Sequence, residues 1–132
     1  MSAGYSGTPL PTKLGIKPGS RVLLDGAPSD FELGRLDAAV HRRKGTSPYD
    51  VGLLFAADLK RLDARWPVLH AAVAPAGRLW VAWPKRASGM PTDLDDNLVR
   101  EHGLANGRVD VKVCAIDAVW SGLCFVVRVK DR

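Results

Sequence analysis

Asp50-Val51-Gly52-Leu53-Leu54-Phe55-Ala56 is a short run that is apolar throughout after its first residue. A continuous run of this length is typical of a strand buried on both faces, as in a parallel sheet covered by helices. Helical spacing follows it, because the next apolar residues stand three or four positions apart: Leu59, Leu62, Trp66, Leu69 and Val73. The centre of the chain therefore predicts a strand followed by an amphipathic helix, with Pro67 expected to kink or split that helix.

Three more apolar segments predict strands around this centre. Arg21–Leu24 and Leu79–Trp83 are bounded by turn residues and are typical of buried strands, while Ala38–Arg42 favours a short edge strand. Ahead of them, residues 1–20 are rich in Gly, Pro, Ser and Thr and predict an N-terminal arm with one helical turn. Residues 21–132 are then expected to form a single domain.

Two further helices are indicated by their end signals. Ser29 and Glu32 have the spacing of a capping box, which predicts the start of a short helix. Another helix is expected to open at Thr92 and to close at Gly103 in a left-handed cap.

The C-terminal end predicts an antiparallel hairpin, since apolar residues alternate along two segments on either side of Val119. One register forms four cross-strand pairs: Val113 with Phe125, Val111 with Val127, Cys114 with Cys124, and Asp110 with Arg128. Strands that alternate with helices and end in a hairpin predict a three-layer α/β/α, Rossmann-like sandwich. Its sheet is expected to be mostly parallel, with the hairpin as its antiparallel part.

Composition agrees with a soluble domain and excludes several classes of protein. The chain has 132 residues, of which 46% are hydrophobic and 25% charged, close to the globular average. Its longest apolar run, Val51–Ala57, is far shorter than the roughly 20 residues of a membrane-spanning helix. The N-terminus lacks the basic start and apolar stretch of a signal peptide, so a cytoplasmic location is expected. A net charge of +5 favours polyanions only weakly.

Two segments resemble class I methyltransferases that use S-adenosylmethionine (SAM). Leu14-Gly15-Ile16-Lys17-Pro18-Gly19-Ser20-Arg21-Val22-Leu23-Leu24-Asp25-Gly26 resembles the approach to the first strand of that fold. Ala74-Pro75-Ala76-Gly77-Arg78-Leu79-Trp80-Val81 is similar to its late turn and strand, and the terminal hairpin to its closing reversed strand. The resemblance covers most of residues 14–130 and implies a Rossmann-like architecture with a cofactor site at the strand ends.

A second resemblance runs almost from end to end. Tyr5-Ser6-Gly7-Thr8-Pro9-Leu10, Leu79-Trp80-Val81-Ala82-Trp83-Pro84-Lys85 and Val111-Lys112-Val113-Cys114-Ala115-Ile116-Asp117 are together similar to a family of short bacterial proteins. That family is common in actinobacteria and is known as a domain of unknown function. The resemblance implies a Rossmann-like fold and no particular activity.

Two departures from the methyltransferase pattern weigh against tight SAM binding. The loop after the first strand, residues 25–29, has one glycine and a proline, whereas close approach of a cofactor to the backbone calls for several glycines. The second strand ends in Arg42-Arg43-Lys44 rather than in the acidic residue that would bind ribose hydroxyls.

Ligands of open α/β sheets bind beyond the carboxyl ends of the parallel strands. The residues expected there are Asp25, Gly26, Ser29, Asp58, Trp83 and Lys85. Trp83 with Lys85 could stack a base and neutralise an acid. The alternative is structural: Ser29 and Asp58 would be helix caps, Gly26 a tight turn, and Trp83 a core residue beside a solvated turn.

Other kinds of site have weaker support. Acidic residues at the predicted helix starts would repel phosphate, and there is no Gly-x-x-x-x-Gly-Lys loop. The three histidines lack ligand spacing, so no metal site is expected, and the two cysteines are expected to be free thiols. The run His41-Arg42-Arg43-Lys44 could contact nucleic-acid phosphates, but such a run is more often a solvated loop.

Three hypotheses for function follow. The first is a non-catalytic binding or regulatory module that acts through a second copy or a partner protein, with contacts from the N-terminal arm. The alternative is a SAM- or nucleotide-binding, methyltransferase-like enzyme that uses the strand-end crevice; no catalytic residue is identified, since a Gly-x-Ser-x-Gly elbow is missing. Nucleic-acid binding through the basic run is the weakest of the three.

Overall fold

The computed structural model describes residues 8–132, which form one six-stranded sheet in the order β2-β1-β3-β4-β6-β5. Strands β1 to β4 run parallel to one another, and β6 is antiparallel to both β4 and β5. This confirms the predicted Rossmann-like α/β class and its C-terminal antiparallel hairpin. The strands are β1 (Arg21–Asp25), β2 (Ala39–His41), β3 (Tyr49–Phe55), β4 (Val73–Pro84), β5 (Val109–Ala115) and β6 (Trp120–Val126).

Three α-helices flank the sheet: α1 (Leu10–Leu14), α2 (Leu59–Ala72) and α3 (Asp96–Ala105). Helix α2 continues through Pro67 as one element, and β4 begins at the residue after it ends. Single 3₁₀ turns follow β4, at Arg86–Ser88, and β6, at Val129–Asp131. Within residues 8–132, no helix is long and apolar enough to cross a membrane.

The central strand is buried on both faces, as its continuous apolar run predicts. On one face, Leu54 belongs to a core formed with α2 and α3; on the other, Leu53 and Phe55 belong to a core closed by α1 and by the segment 27–38. The indole Nε1 of Trp80 donates to the carbonyl of Leu14 at 3.0 Å and ties α1 to this second core. Residues 10–14 of the expected arm therefore pack against the sheet.

The prediction of a short helix that starts at Ser29 is wrong. Ser29 lies in an exposed turn, and the segment up to Ala38 contains no helix. Phe31 is instead buried edge-on against Phe55, with ring centroids 4.9 Å apart, and its carbonyl accepts a hydrogen bond from Arg42. Burial of this aromatic ring overrides the local capping signal.

The hairpin forms, but the four predicted pairs are wrong: the partners of Val113 and Cys114 differ from the prediction by two residues, and that of Asp110, which is Phe125, differs by three. Lys112 lies opposite Cys124 and Val113 opposite Leu123, with a bulge between Asp110 and Lys112. From Lys112 onward the shift of two keeps every side chain on its original face, so the alternation of apolar residues there does not distinguish the two registers. Because β5 is an edge strand, Val113 is left 59% exposed.

Helix α3 is shorter at its start and longer at its end than expected. Asp95 caps it, accepting a hydrogen bond from the backbone N–H of Leu98 at 2.8 Å. Gly103 is not the left-handed cap; it lies inside the helix, and Gly107 has the positive φ, of 100°. A Cβ on Gly103 would lie 2.1 Å from the Phe125 ring, so this glycine permits the close packing of α3 on β6.

We expect Gly103→Ala to lower the free energy of unfolding by about 2 kcal/mol, because overpacking of the core outweighs the better helix propensity of alanine. The measurement is a urea unfolding curve. Leu104→Ala, at a neighbouring position that is 47% exposed, is the control and should change stability by less than about 0.5 kcal/mol. An alanine variant at position 103 as stable as the parent protein would contradict this account of the helix packing.

Candidate functional site

A buried carboxylate stands where β1 ends. Asp25 is 9% exposed, and its Oδ1 lies 2.5 Å from Nη2 of Arg61. Its Oδ2 lies 2.6 Å from Nη2 and 3.1 Å from Nε of Arg65. The hydrogen bond to Asp25 raises the pKa of Arg65 above its ordinary value. One carboxylate thus holds two charged guanidinium groups, each a little over one-third exposed, at the carboxyl end of β1.

Arg61 links the ends of β1 and β3. Its Nε donates to the carbonyl of Phe55 at 2.8 Å, and its backbone N–H donates to Oδ1 of Asp58 at 2.8 Å. Gly26 lies directly under the guanidinium: a Cβ there would be 2.2 Å from Nη2. With a φ of +73°, Gly26 serves both the turn and this contact. Three of the six predicted residues therefore meet at Arg61: Asp25 and Gly26 at its guanidinium, and Asp58 at its backbone N–H.

Two carboxylates accept hydrogen bonds from backbone N–H groups at the N-terminus of α2. Asp58 is the cap of this helix, as its structural interpretation predicts. Asp93 precedes α3, and its Oδ1 accepts from the backbone N–H of Leu59 at 2.8 Å. Because these carboxylates occupy the amides that would hold a phosphate, the helix start is not an anion cradle.

The other three predicted residues stand apart from Asp25. Ser29 is exposed in a turn and caps no helix, so its structural alternative is wrong as well, whereas Trp83 is 6% exposed within the α2–α3 core, as its structural alternative predicts. Lys85 is half-buried after β4, where its backbone N–H donates to the carbonyl of Val119 at 2.7 Å. None of the hydrogen bonds and ion pairs found for residues 8–132 joins these three to the Asp25 cluster.

Sequence reasoning missed the two arginines, although a signal for them exists. Arg61 and Arg65 are four residues apart and so share one face of α2. An aspartate at the end of a buried strand needs a cation nearby, and the helix that follows the adjacent parallel strand is the element that can supply one.

An open pocket of about 460 Å³ lies on the face of the sheet covered by the segment 27–38, opposite the face on which α2 and the Asp25 cluster lie. Its walls combine apolar side chains with one acidic and one basic side chain, and the polar part makes up more than half of the exposed lining. The lining residues are Leu24, Phe31, Glu32, Leu33, Gly34, Leu36, Val40 and Arg42.

Two residues of the basic run 41–44 form hydrogen bonds within the chain. His41 Nδ1 lies 2.7 Å from the hydroxyl of Tyr49, and Arg42 donates to the carbonyls of Pro28 and Phe31. These contacts give two of the four side chains a structural role. Nucleic-acid binding through the run stays a prediction.

The cysteines offer no reactive pair in the part of the chain that the structure describes. Both are free thiols, and they do not lie opposite each other because Cys114 pairs with Gly122. Burial raises the pKa of Cys124 to about 11 and raises that of Cys114 as well, so both remain protonated at neutral pH. Within residues 8–132, no group of histidine, cysteine and acidic residues could hold a metal ion.

The sequence matches no protein-family model and no curated protein, so the resemblance to short actinobacterial proteins stays a prediction. Solved structures of methyltransferases are similar to the chain in fold. A complex of DhpI with S-adenosylhomocysteine (SAH) has a TM-score of 0.59 at 10% identity, over 89% of this chain and 81% of that one.

Two further methyltransferase structures are similar to this chain in fold. The ribosomal protein L11 methylase of Lactobacillus delbrueckii subsp. bulgaricus has a TM-score of 0.56 at 12% identity, over 90% of this chain and 75% of its own. A protein from Thermoplasma acidophilum, assigned as a methyltransferase, has a TM-score of 0.53 at 10% identity, over 98% of this chain and 77% of its own. At these identities the comparisons establish a methyltransferase-like Rossmann fold.

We expect Asp25→Asn to lower the free energy of unfolding by about 2 kcal/mol, since it leaves two guanidinium groups facing each other without a counter-charge. This expected loss of stability is smaller than the loss for a fully buried ion pair, because solvent reaches both arginines. Urea unfolding curves at low and high salt measure the loss. Because salt screens the charges, the difference in stability between the variant and the parent chain should be smaller at high salt. The control, Asp110→Asn, removes the partly exposed ion pair with Arg100 (3.0 Å), in which the carboxylate is more accessible than that of Asp25, and should cost less than about 1 kcal/mol. Equal losses from the two variants would argue against a special role for Asp25.

Proposed function

We propose that this chain is a methyltransferase-like domain that binds SAM, or a close adenosyl relative, in the crevice at the strand ends. The observation that carries the proposal is the fold: the chain follows, over 89% of its length, a structure solved as an SAH complex. Ligands of open α/β sheets bind at this edge of the sheet. When bound, SAM would supply an electrophilic methyl group on a sulfonium.

The charges at the crevice fit the amino-acid end of such a cofactor. Arg61 and Arg65 share a single carboxylate, that of Asp25, so the cluster carries one net positive charge. Guanidinium groups bind carboxylates through paired, charge-assisted hydrogen bonds. Arg61 and Arg65 would therefore hold the carboxylate of the cofactor, and their partial exposure leaves donors available to it.

The adenosyl end would cross the end of β1 to the pocket on the opposite face of the sheet. The lining of that pocket includes the apolar side chains of Leu24, Phe31 and Val40, against which a purine base would pack. Glu32 in the same lining is an acceptor of the kind that ribose hydroxyls need, which the end of β2 does not provide.

Isothermal titration of the full chain with SAM and with SAH tests the proposal. We expect saturable binding of at least one of them, weakened about tenfold or more in Arg65→Met, which loses a charge-assisted pair. Arg100→Met is the matched control, because Arg100 is a similarly exposed arginine paired with an aspartate away from the crevice. No saturable heat at millimolar cofactor would overturn the proposal.

A non-catalytic module is the second candidate, and one contact favours it. The guanidinium of Arg61 covers Gly26, at the position where a cofactor would approach the backbone in a glycine-rich loop. In this case a second copy or a partner protein would be the ligand of the domain.

Arg61→Ala separates the two candidates. If Arg61 holds the cofactor carboxylate, the variant binds SAM more weakly than the parent chain. If Arg61 closes the crevice, the parent chain gives no signal and the variant either gains binding or stays silent. Circular dichroism of the variant checks that it is folded.

A further inference from the structure

A buried arginine without a carboxylate partner lies at the opposite edge of the sheet. Arg108 precedes β5 and is 2% exposed. Its Nε donates to Nδ1 of His70 at 2.9 Å, and its Nη2 donates to the carbonyls of His70 and Val73 at 3.3 and 3.2 Å. Its Nη1 is buried and has no hydrogen-bond partner among residues 8–132.

The charge of this guanidinium is only partly compensated. Its acceptors are the carbonyls at the end of α2, which carry the partial negative charge of a helix C-terminus. Burial lowers the pKa of Arg108 to about 10, so the group stays protonated at neutral pH. Burial and the charge of Arg108 lower the pKa of His70, which keeps that ring neutral and able to accept at Nδ1. A buried charge of this kind is destabilising unless a counter-ion pairs with it.

A pocket of about 440 Å³ opens beside this arginine. Its walls combine apolar side chains with the polar groups of His70 and Arg108, and the charge of Arg132 also acts on Arg108. One carboxylate, that of the exposed Asp131, stands in the lining, yet it forms no ion pair with Arg108. The lining residues are His70, Ala71, Val73, Pro75, Gly107, Arg108, Val127 and Asp131.

We propose that this pocket binds a small organic molecule through a carboxylate or phosphate group that pairs with Arg108. The apolar part of the ligand would pack against Val73, Pro75 and Val127. The volume is large enough for a molecule of several heavy atoms beyond its anionic group. This site is separate from the strand-end crevice and does not depend on the function proposed for it.

An NMR titration of the isotope-labelled full chain tests the site with two probes, inorganic phosphate and hexanoate, at constant ionic strength. We expect at least one probe to shift the backbone amides of Gly107 and Val73 and the Nε–H of Arg108 in a saturable way. Saturation by phosphate alone assigns a phosphate ligand, and saturation by hexanoate alone assigns a carboxylate with an apolar tail. Shifts that also appear with added chloride, or that never saturate, would overturn the proposal.

Two exposed alanines of α2 provide a matched pair of variants. Ala71 lines the pocket and Ala64, two turns earlier, does not. We expect Ala71→Glu to weaken probe binding about tenfold or more, because its carboxylate competes for Arg108, while Ala64→Glu should bind as the parent chain does. The two variants have the same net charge, so equal weakening in both would show a non-specific effect and count against the site.

A third variant works in the opposite direction without touching the core. Asp131 is exposed and places a negative charge at the pocket, so Asp131→Asn should tighten binding of either anion by several-fold. Unchanged or weaker binding in this variant would contradict an anion site next to Asp131.

Discussion

The crevice is organised by a single electrostatic requirement, the neutralisation of Asp25. Its carboxylate ends β1 inside the protein, where an unpaired charge would be costly. Helix α2 meets this requirement with two arginines one turn apart, which determines the face that the helix turns toward β1. The same guanidinium that binds Asp25 holds the last carbonyl of β3 and lies on Gly26. A ligand that binds at this edge of the sheet would therefore meet the two guanidinium groups and their shared carboxylate.

The sheet itself could be predicted well from the sequence, because burial leaves a direct trace in it. Strand β3 is a continuous apolar run since both of its faces are covered, and the amphipathic spacing after it corresponds to α2. Where a feature depends on a tertiary partner, prediction failed. Ser29 and Glu32 carry a helix signal that is overridden when Phe31 packs on Phe55, and Gly103 resembles a helix end until the Phe125 ring is seen beside it.

The functional sites were harder to predict than the fold, because their members are far apart in the chain. Asp25 and Arg65 are separated by 40 residues, and His70 and Arg108 by 38. Strand-end reasoning located Asp25, Gly26 and Asp58 because it needs only the topology of a parallel sheet. It cannot find cations that reach the same point from the middle of a helix, nor a buried arginine at the other end of the sheet.

Helix α2 continues into β4 without an intervening loop. It carries Arg61 and Arg65 near its first turn and His70 in its last, so one rigid rod of 14 residues, about 20 Å long, connects the crevice and the Arg108 pocket. Because no flexible connection can absorb a displacement, a tilt of the rod moves both ends together. A ligand that displaces the helix at one end would therefore change binding at the other, and thermodynamic linkage makes any such coupling equal in free energy in both directions.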